Sequence, residues 1–497
     1  MKRSWGMAAG LGVLSAAALP PLHLVPVLLL AVPCLLALVG AQNGWRGAAA
    51  IGFWFGFGHH LVGLYWITEA ILVESARFWW LVPLAVPALA AVLALFIVLP
   101  CVAAWYAAPG WRRVLAFAGA WVLADLARQF VASGFPWNPW GSVWAAPDAL
   151  GDVFQQPAAW VGVHGLTLMT VLLAAAPVLG ARARLAGVVA LAAWAGFGSW
   201  RIALPAPAAP GVSVVLVQGN VPQGWKWDRG FVEQMFLRHL DLTRQGVTRA
   251  GTGPAVVIWP ETASPYPLEI DENARAAIVE AARGVPVLVG SVRFDSARRP
   301  RNSLMGLLDA GPPAVIYDKW HLVPFGEYQP DWLPVPVQLV PGGGFAPGPG
   351  PVSLQLDRLP PAGALICYEA IFSGAVVSRT DRPAWLVNVT NDAWFGNSTG
   401  PRQHLAAARL RAVEEGLPLA RAANTGISAV FDAYGREQAR LEMNTAGTLV
   451  AALPGALPPT IYARLGLAAP AVLAAICLIF GMAEFRRFRI SETSSLN

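Results

Sequence analysis

Long apolar runs are the feature that most restricts what this chain can fold into. Residues 1–200 and the last 40 residues are mainly apolar, whereas the interval 211–455 holds most of the charged side chains. A run of about 20 apolar residues crosses the hydrocarbon core of a bilayer as a helix. Only 13% of the residues are charged, whereas about a quarter are charged in a soluble protein. The sequence therefore predicts a membrane protein with one globular domain outside the bilayer.

Eight membrane-spanning helices are predicted, seven before the globular domain and one after it. Their expected ranges are 5–19, 22–40, 48–72, 80–105, 114–131, 160–179, 185–200 and 462–484. The predicted domains are a transmembrane bundle over 1–205, a globular domain over 211–455, a C-terminal transmembrane helix over 460–485 and a cytoplasmic tail over 486–497.

Lys and Arg in the short loops predict the orientation of the bundle, since positively charged loops stay in the cytoplasm. If the N-terminus is cytoplasmic, the inside segments hold Lys2, Arg3, Arg46, Arg112, Arg113, Arg182, Arg184, Arg486, Arg487 and Arg489. The globular domain is then expected on the periplasmic side of a bacterial inner membrane. These topology-setting charges also account for the net charge of +6. The sequence contains no Lys/Arg cluster with interleaved aromatics that would indicate nucleic-acid binding.

Two polar features interrupt the predicted bundle. The segment Ser133–Trp140 is Pro-rich and full of Trp, which fits either an interfacial aromatic belt or a loop that lines a lipid entry. His59, His60 and Glu69 lie in or near the third predicted span, where ionisable groups are costly and often functional. Because adjacent histidines point to different faces of a helix, no shared metal site is expected.

The globular domain alternates between short β-rich runs and helical patterns. The predicted strands are Val212–Gln218, Ala255–Ile258, Val285–Val289, Ala364–Ile366 and Trp385–Val389, and the predicted helices are 231–246, 272–284 and 401–423. Such alternation indicates a layered α/β fold in which helices cover the sheets.

Cys367 is the single cysteine of the globular domain. Cys34, Cys101 and Cys477 lie in apolar runs, so Cys367 has no partner there for a disulfide, and no Cys/His group has metal-ligand spacing. It follows a buried strand and precedes an expected helix, which is the arrangement of a nucleophile elbow. A helix N-terminus lowers the pKa of a thiol, and the Tyr368 N–H is well placed for an oxyanion hole. Cys367 is therefore a candidate nucleophile.

Two further candidates stand at predicted strand ends, where α/β folds place ligands. Glu261 follows Trp259 and Pro260, and apolar surroundings would raise the pKa of its carboxyl to suit a general base; the alternative is a solvated loop acid. Lys319 is either a snorkelling side chain or a buried cation that stabilises an oxyanion, with Glu327 as a candidate partner.

A Cys–His dyad is the competing arrangement for activating Cys367. His321 is two residues from Lys319 and is the first candidate for that base; His404 is the second.

Glu261, Lys319 and Cys367 occur in the order and approximate spacing of the nitrilase (carbon–nitrogen hydrolase) superfamily. Over nearly its whole length the chain resembles the bacterial apolipoprotein N-acyltransferase family. The motifs that carry this resemblance are 134–137, 217–220, 226–227, 259–262, 319–327, 367–369, 388–395, 403–404 and 421–428. Arg301 stands where the family pattern leads us to expect an aromatic residue, and His164 replaces a usual Tyr.

The resemblance implies an α-β-β-α sandwich and a two-step acyl transfer. It implies that a membrane phospholipid donates an acyl chain to Cys367, and that the resulting thioester passes it to the N-terminal amine of a diacylglyceryl-cysteine apolipoprotein, the final step of lipoprotein maturation. Glu261 would move the protons, while Lys319 and the Tyr368 amide would stabilise the oxyanion. Glu327 and Glu369 would support the site, and Trp227 would belong to a mobile loop over the lipid. No cofactor or metal is implied, and a monomer is expected.

Three other functions compete with this interpretation. A membrane-anchored amidase would use the same three residues and release its acyl product to water. An inactive binding or scaffold protein would not need all three positions filled, and a transporter would need polar residues spread through its spans. Eight spans exceed what an anchor requires, which favours a bundle that delivers a lipid.

Overall fold

The chain folds into two compact units. The computed structural model describes residues 2–73, 75–226, 230–330 and 344–483. One unit combines Met1–Leu204 with Ile461–Asn497, and the other is Pro205–Thr460. The predicted tail over 486–497 lies outside the described residues.

The first unit is helical. Its α-helices are Lys2–Ala16, Leu28–Gly40, Trp45–Gly63, Ile67–Leu72, Ser75–Phe78, Val82–Tyr106, Trp111–Ala127, Ala149–Phe154, Ala158–Ala175, Ala181–Ile202, Ile461–Leu465 and Ala468–Met482. The backbones of the helices Trp111–Ala127 and Ala468–Met482 are in direct contact at Gly119. A Cβ atom at Gly119 would lie only 2.4 Å from the carbonyl oxygen of Ala474. Small residues permit this close packing between helices in a membrane protein.

Three helical runs among the described residues are long and apolar enough to cross a membrane: Ser75–Tyr106, Ala158–Leu179 and Ala181–Ile202. The helices Val25–Gly40 and Ala468–Met482 are apolar but shorter. The predicted range 48–72 holds two helices, because the backbone leaves the helical region at Leu64 with φ of −121°. Eight spans therefore stay a prediction.

The Pro-rich segment Ser133–Trp140 is fixed to the first unit by a buried ion pair. Arg128 contacts Asp125 at 3.1 Å and donates hydrogen bonds to the backbone carbonyls of Phe135 and Trp137. Trp137 and Trp140 are buried, at 3% and 1% exposure. Buried indoles do not fit an aromatic belt that faces the membrane interface.

The second unit contains two six-stranded sheets. The strands are β1 (Ser213–Gln218), β2 (Ala255–Ile258), β3 (Val287–Phe294), β4 (Pro300–Leu307), β5 (Val315–Asp318), β6 (Ser353–Leu354), β7 (Ala362–Ile366), β8 (Trp385–Thr390), β9 (Leu419–Ala423), β10 (Ser428–Phe431), β11 (Glu437–Leu441) and β12 (Gly447–Ala452). The strand order is β12-β1-β2-β3-β4-β5 in the first sheet and β11-β10-β9-β8-β7-β6 in the second. The long helices of this unit are Val232–Ala250, Glu272–Ala281 and Gly400–Glu415.

Alternating apolar residues explain the layers of the second unit, since successive side chains of a strand point to opposite faces. In β1, Val214 and Leu216 join a core shared by the two sheets. Val215 and Val217 instead join a core with the helices Val232–Ala250 and Glu272–Ala281. A third core lies between the second sheet and the remaining long helix. The predicted α-β-β-α sandwich is confirmed.

The predicted helix over 401–423 is wrong at its C-terminal end. The helix ends at Glu415, because Gly416 adopts a left-handed conformation with φ of +66°. Glycine in this conformation is a common helix stop, and Pro418 shortly after it cannot continue the helix. Residues from Leu419 onward form β9 in the second sheet.

Candidate active site

Three strand ends bring the predicted site residues together. β2 leads to Glu261, β5 leads directly to Lys319, and β7 leads directly to Cys367. The first two strands belong to one sheet and the third to the other. All three side chains are buried. Charges on them therefore interact strongly, because the effective dielectric constant is low away from water.

Lys319 pairs with two carboxylates. Its Nζ lies 3.0 Å from Glu261 Oε1 and 2.9 Å from each carboxylate oxygen of Glu327. Burial lowers the pKa of Lys319, but the two carboxylates outweigh burial and raise it well above the usual value. Lys319 is therefore a permanent buried cation rather than a snorkelling side chain.

Glu261 is a fully engaged carboxylate. Oε1 accepts hydrogen bonds from Lys319 and from Asn302 Nδ2 at 2.7 Å, and Oε2 accepts one from the Asn391 N–H at 2.9 Å. Burial raises the pKa of Glu261, but Lys319 and Lys226 outweigh burial and lower it. The pKa predicted from apolar surroundings is therefore wrong in direction.

Cys367 occupies a sharp turn between β7 and a short 3-10 helix, Cys367–Ile371. Its φ of +50° lies in the left-handed region, which is strained for a residue with a side chain. Burial raises the pKa of the Cys367 thiol, the Glu261 charge raises it further, and Lys319 opposes both. The predicted lowering by a helix N-terminus is wrong for the resting protein, since one 3-10 turn sums few peptide dipoles.

Glu369 ties the Cys367 turn to the end of β5. Its carboxylate accepts hydrogen bonds from the Tyr317 hydroxyl at 2.8 Å, the Trp320 N–H at 2.7 Å and the Ile366 N–H at 2.6 Å. Burial raises the pKa of Glu369 to about 7. The carboxylate thus bridges the two sheets directly behind the candidate nucleophile.

Neither candidate histidine is arranged as a base for Cys367. His321 stacks against Phe372, with ring centroids 3.7 Å apart. His404 Nε2 lies 2.9 Å from the backbone carbonyl oxygen of Cys367, and Nδ1 lies 3.0 Å from Asp392 Oδ1. This geometry favours Glu261 over a Cys–His dyad.

One cluster among the described residues has metal-ligand atoms within 4.8 Å of one another: Cys367, Asp392 and His404. Arg421 donates hydrogen bonds to Asp392 Oδ2 at 2.8 Å and to His404 Nδ1 at 3.2 Å. Asp392 and His404 therefore already have hydrogen-bond partners within the protein.

Two residues at the site were not predicted from the sequence. Asn302 Nδ2 bridges Glu261 and Glu327, at 2.7 and 2.8 Å. Lys226 Nζ donates to the Glu261 backbone carbonyl at 3.0 Å and to the Thr262 hydroxyl. A polar side chain at a buried position of a strand is the signal that could have identified Asn302. Trp227, next to Lys226, lies outside the described residues.

The two departures from the family pattern both have structural partners. Arg301 forms ion pairs with Asp295 at 3.1 Å and with Asp318 at 3.5 Å. It therefore helps to fix Asp318, which directly precedes Lys319. In the helical unit, His164 Nε2 lies 3.1 Å from the Gln129 side-chain nitrogen.

The alkylation rate of Cys367 is expected to fall as the pH is lowered, and Asn302→Leu should shift this fall, the acidic limb of the pH profile, to higher pH. Asn302 helps to lower the pKa of Glu261, so its loss raises that pKa, and Glu261 is protonated at a higher pH. Since a base acts only when deprotonated, Cys367 should react more slowly at acidic pH in the variant. The measurement is the alkylation rate of Cys367 between pH 5 and pH 9, and an unchanged limb would contradict the assigned role of Asn302.

Comparison with known proteins places the chain in a family. Residues 11–176 match the apolipoprotein N-acyltransferase N-terminal domain, and residues 213–459 match the carbon–nitrogen hydrolase family. Apolipoprotein N-acyltransferase of Rhodopseudomonas palustris is 38% identical over 502 residues, covering 94% of this chain and 92% of the relative. That of Bradyrhizobium diazoefficiens is 39% identical over 518 residues, covering 96% and 95%.

Among solved structures, an amidase from Nesterenkonia sp. AN1 with a covalent adduct at its active-site cysteine is similar to part of this chain. It is 16% identical, with a TM-score of 0.37, and covers 59% of this chain and 99% of that chain. The family assignment depends on the two domain matches and on the full-length relatives. On these grounds the chain belongs to the apolipoprotein N-acyltransferase family.

Proposed function

We propose that this membrane protein transfers an acyl chain from a phospholipid, through a thioester on Cys367, to the N-terminal amine of a diacylglyceryl-cysteine apolipoprotein. The observation that carries the proposal is the buried ion pair between Glu261 and Lys319, 3.0 Å long, beside a cysteine in a strained turn. A base, a cation and a nucleophile are what thioester formation needs. The lipoprotein acceptor follows from the named relatives.

In the first half-reaction, Glu261 takes the thiol proton and the Cys367 sulfur attacks an ester carbonyl of the phospholipid. A tetrahedral oxyanion forms, which Lys319 and the Tyr368 amide stabilise. The bond to the glycerol oxygen then breaks, and Glu261 returns its proton to that oxygen. The products are a lysophospholipid and an acyl-thioester.

In the second half-reaction, the lipoprotein amine attacks the thioester carbonyl. Glu261 accepts the proton that the amine loses, the oxyanion forms again, and the carbon–sulfur bond breaks. The thiolate regains its proton from Glu261, and the acyl chain leaves as an amide. Neither half-reaction changes an oxidation state, so the proposal needs no cofactor.

Charge balance explains why the site pairs a low-pKa carboxylate with a high-pKa thiol. At rest the proton stays on sulfur, since burial raises the pKa of Cys367 while the nearby lysines lower that of Glu261. When sulfur attacks, the negative charge moves from Glu261 to the oxyanion while Lys319 stays positive. The site therefore creates no new net charge, which would be costly in a buried environment.

The surrounding residues have supporting roles in this proposal. Glu327 holds Lys319 in place, and Glu369 holds the turn that presents Cys367. A role for Trp227 over the bound lipid remains a prediction from the family resemblance.

We also propose a location for the enzyme. Within the described part of the chain, three helical runs are apolar and long enough to span a bilayer, and the Lys and Arg distribution favours a cytoplasmic N-terminus. A multi-pass protein of the inner membrane, with Pro205–Thr460 in the periplasm, satisfies both. In this setting a monomer is sufficient, because Glu261, Lys319 and Cys367 come from one chain.

The test of this function separates transfer from hydrolysis. The full-length protein in detergent is incubated with a phospholipid carrying a labelled acyl chain, and the Cys367 peptide is examined by mass spectrometry. A diacylglyceryl-cysteine peptide with a free amine is then added. We expect labelled Cys367 to persist until the peptide arrives, and the label then to appear as an amide.

A parallel reaction with an N-acetylated copy of the same peptide is the control, since it lacks the attacking amine. Rapid release of labelled fatty acid to water without a peptide would identify an amidase-like hydrolase instead. Failure to label Cys367 with any phospholipid would reject the proposed donor.

A further inference from the structure

The backbone carbonyl of Cys367 faces a buried imidazole. His404 Nε2 lies 2.9 Å from the carbonyl oxygen of Cys367. A carbonyl oxygen only accepts hydrogen bonds, so Nε2 carries the proton and donates. His404 belongs to the helix Gly400–Glu415 and is 1% exposed. This contact is made to the backbone of Cys367, whereas Glu261 is assigned to the proton of its thiol.

A charged pair fixes the orientation of the imidazole. Burial and the Arg421 charge lower the pKa of His404, so the imidazole is neutral, and Nδ1 accepts a hydrogen bond from Arg421 at 3.2 Å. Asp392 Oδ1 lies 3.0 Å from Nδ1 and accepts a bond from the Thr390 hydroxyl at 3.0 Å. Asp392 Oδ2 accepts a bond from Arg421 at 2.8 Å. Burial raises the pKa of Asp392, but the Arg421 charge, helped by the hydrogen bond from Thr390, outweighs burial and holds it at about 2. The carboxylate is therefore ionised at physiological pH.

Residues of the second sheet hold this cluster in place. Asn388 accepts a hydrogen bond from Arg421 and donates one to the Leu365 carbonyl at 3.1 Å. Asn388 and Arg421 are fully buried and lie on neighbouring strands of the second sheet. The second sheet, whose strand β7 leads to Cys367, therefore also sets the position of the His404 ring.

The Cys367 turn needs such support. A left-handed residue with a side chain persists only where its surroundings hold it. The peptide group between Cys367 and Tyr368 is planar and trans, so its N–H points opposite to its C=O. Any group that holds the Cys367 carbonyl therefore also sets the direction of the Tyr368 N–H.

We propose that His404 is a positioning residue for acyl transfer, which holds the Cys367 carbonyl and thereby aims the Tyr368 N–H at the oxyanion. This inference rests on the proposed function, in which the Tyr368 amide stabilises the tetrahedral intermediate. The hydrogen bond to the carbonyl also polarises the peptide group, which makes its N–H a stronger donor.

Two substitutions separate the contacts of the imidazole. The amide nitrogen of His404→Gln reaches the position of Nε2 and can still donate to the Cys367 carbonyl. The shorter His404→Asn keeps a polar atom at the position of Nδ1, beside Arg421 and Asp392, and leaves the Cys367 carbonyl without its donor. The two variants are therefore a matched pair for one hydrogen bond.

The readouts are two reactions of the same sulfur, followed in the full-length protein. Alkylation by iodoacetamide requires the thiolate but develops no oxyanion. Acylation by a p-nitrophenyl fatty-acyl ester requires the thiolate and also a stabilised oxyanion, and the burst of released nitrophenolate reports its rate. Because this ester is not a phospholipid, the result also stands if the proposed lipid donor is wrong.

His404→Asn should lower the acylation rate about 10²–10³-fold and change the alkylation rate less than about threefold, as loss of one oxyanion donor predicts. His404→Gln should recover acylation to within about tenfold of the original protein. Equal acylation by the Asn variant and the original protein would overturn the proposal. So would a parallel fall in both reactions, or a Gln variant no faster than the Asn variant, since either marks a structural role only.

Discussion

Cys367→Ser should abolish the acyl-enzyme and lower acyl transfer on the order of 10⁴-fold or more, as loss of a catalytic nucleophile does. A serine hydroxyl ionises far less readily than a thiol, and the lysines beside Glu261 already lower the pKa of that base. Oxygen and sulfur side chains are similar in size, so the turn at φ of +50° should survive. Intact-protein mass spectrometry after incubation with a labelled phospholipid measures the adduct.

Cys477→Ser is the matched control for this prediction. Cys477 lies in the apolar helix Ala468–Met482 and takes no part in the proposed chemistry. That variant should acquire the full acyl adduct, and the adduct should map to Cys367. A covalent acyl group on the Cys367→Ser protein would show that the nucleophile is another residue.

The positions of Glu261, Lys319 and Cys367 could be predicted because each depends on local sequence. An apolar run followed at once by a polar or reactive residue marks the end of a buried strand, where α/β folds bind ligands. The three residues do lie at the ends of β2, β5 and β7. Their chemical roles, in contrast, remain proposals that the variants described above test.

The protonation states could not be predicted in the same way, because they depend on residues distant in sequence. Trp259 is two residues before Glu261 in the chain, but its side chain packs into the core on the helix side of the sheet. The group that decides the pKa of Glu261 is Lys319, 58 residues later. Local sequence therefore indicated an apolar environment where the fold supplies an ion pair.

The supporting contacts of Asn302 and His404 were not predicted, for a related reason. Asn302 becomes a neighbour of Glu261 only through the antiparallel pairing of β4 with β3 and β5. His404 reaches the carbonyl of Cys367 from a helix 37 residues away. A single sequence can mark a polar residue at a buried position, but it does not show which distant residue that side chain contacts.

Lys319→Met is expected to lower acyl transfer about 10²–10³-fold through loss of oxyanion stabilisation. It should also destabilise the fold by about 3–5 kcal/mol, since removing one partner leaves buried charge uncompensated. The carboxylates of Glu261 and Glu327 both contact Lys319 Nζ, at 3.0 and 2.9 Å, and would repel each other without it. Thermal unfolding in detergent and the rate of Cys367 acylation measure the two effects.

The stability that Lys319→Met loses should depend on pH. In the original protein Lys319 lowers the pKa of Glu261, so this ion pair stabilises the fold above the ordinary pKa of a carboxyl group. In Lys319→Met burial acts without that cation and raises the pKa, so the variant loses stability as pH rises. The difference in Tm should be larger at pH 8 than at pH 5. Adding Glu327→Gln should restore stability but not acylation, and a Tm difference independent of pH would contradict the buried charge pair.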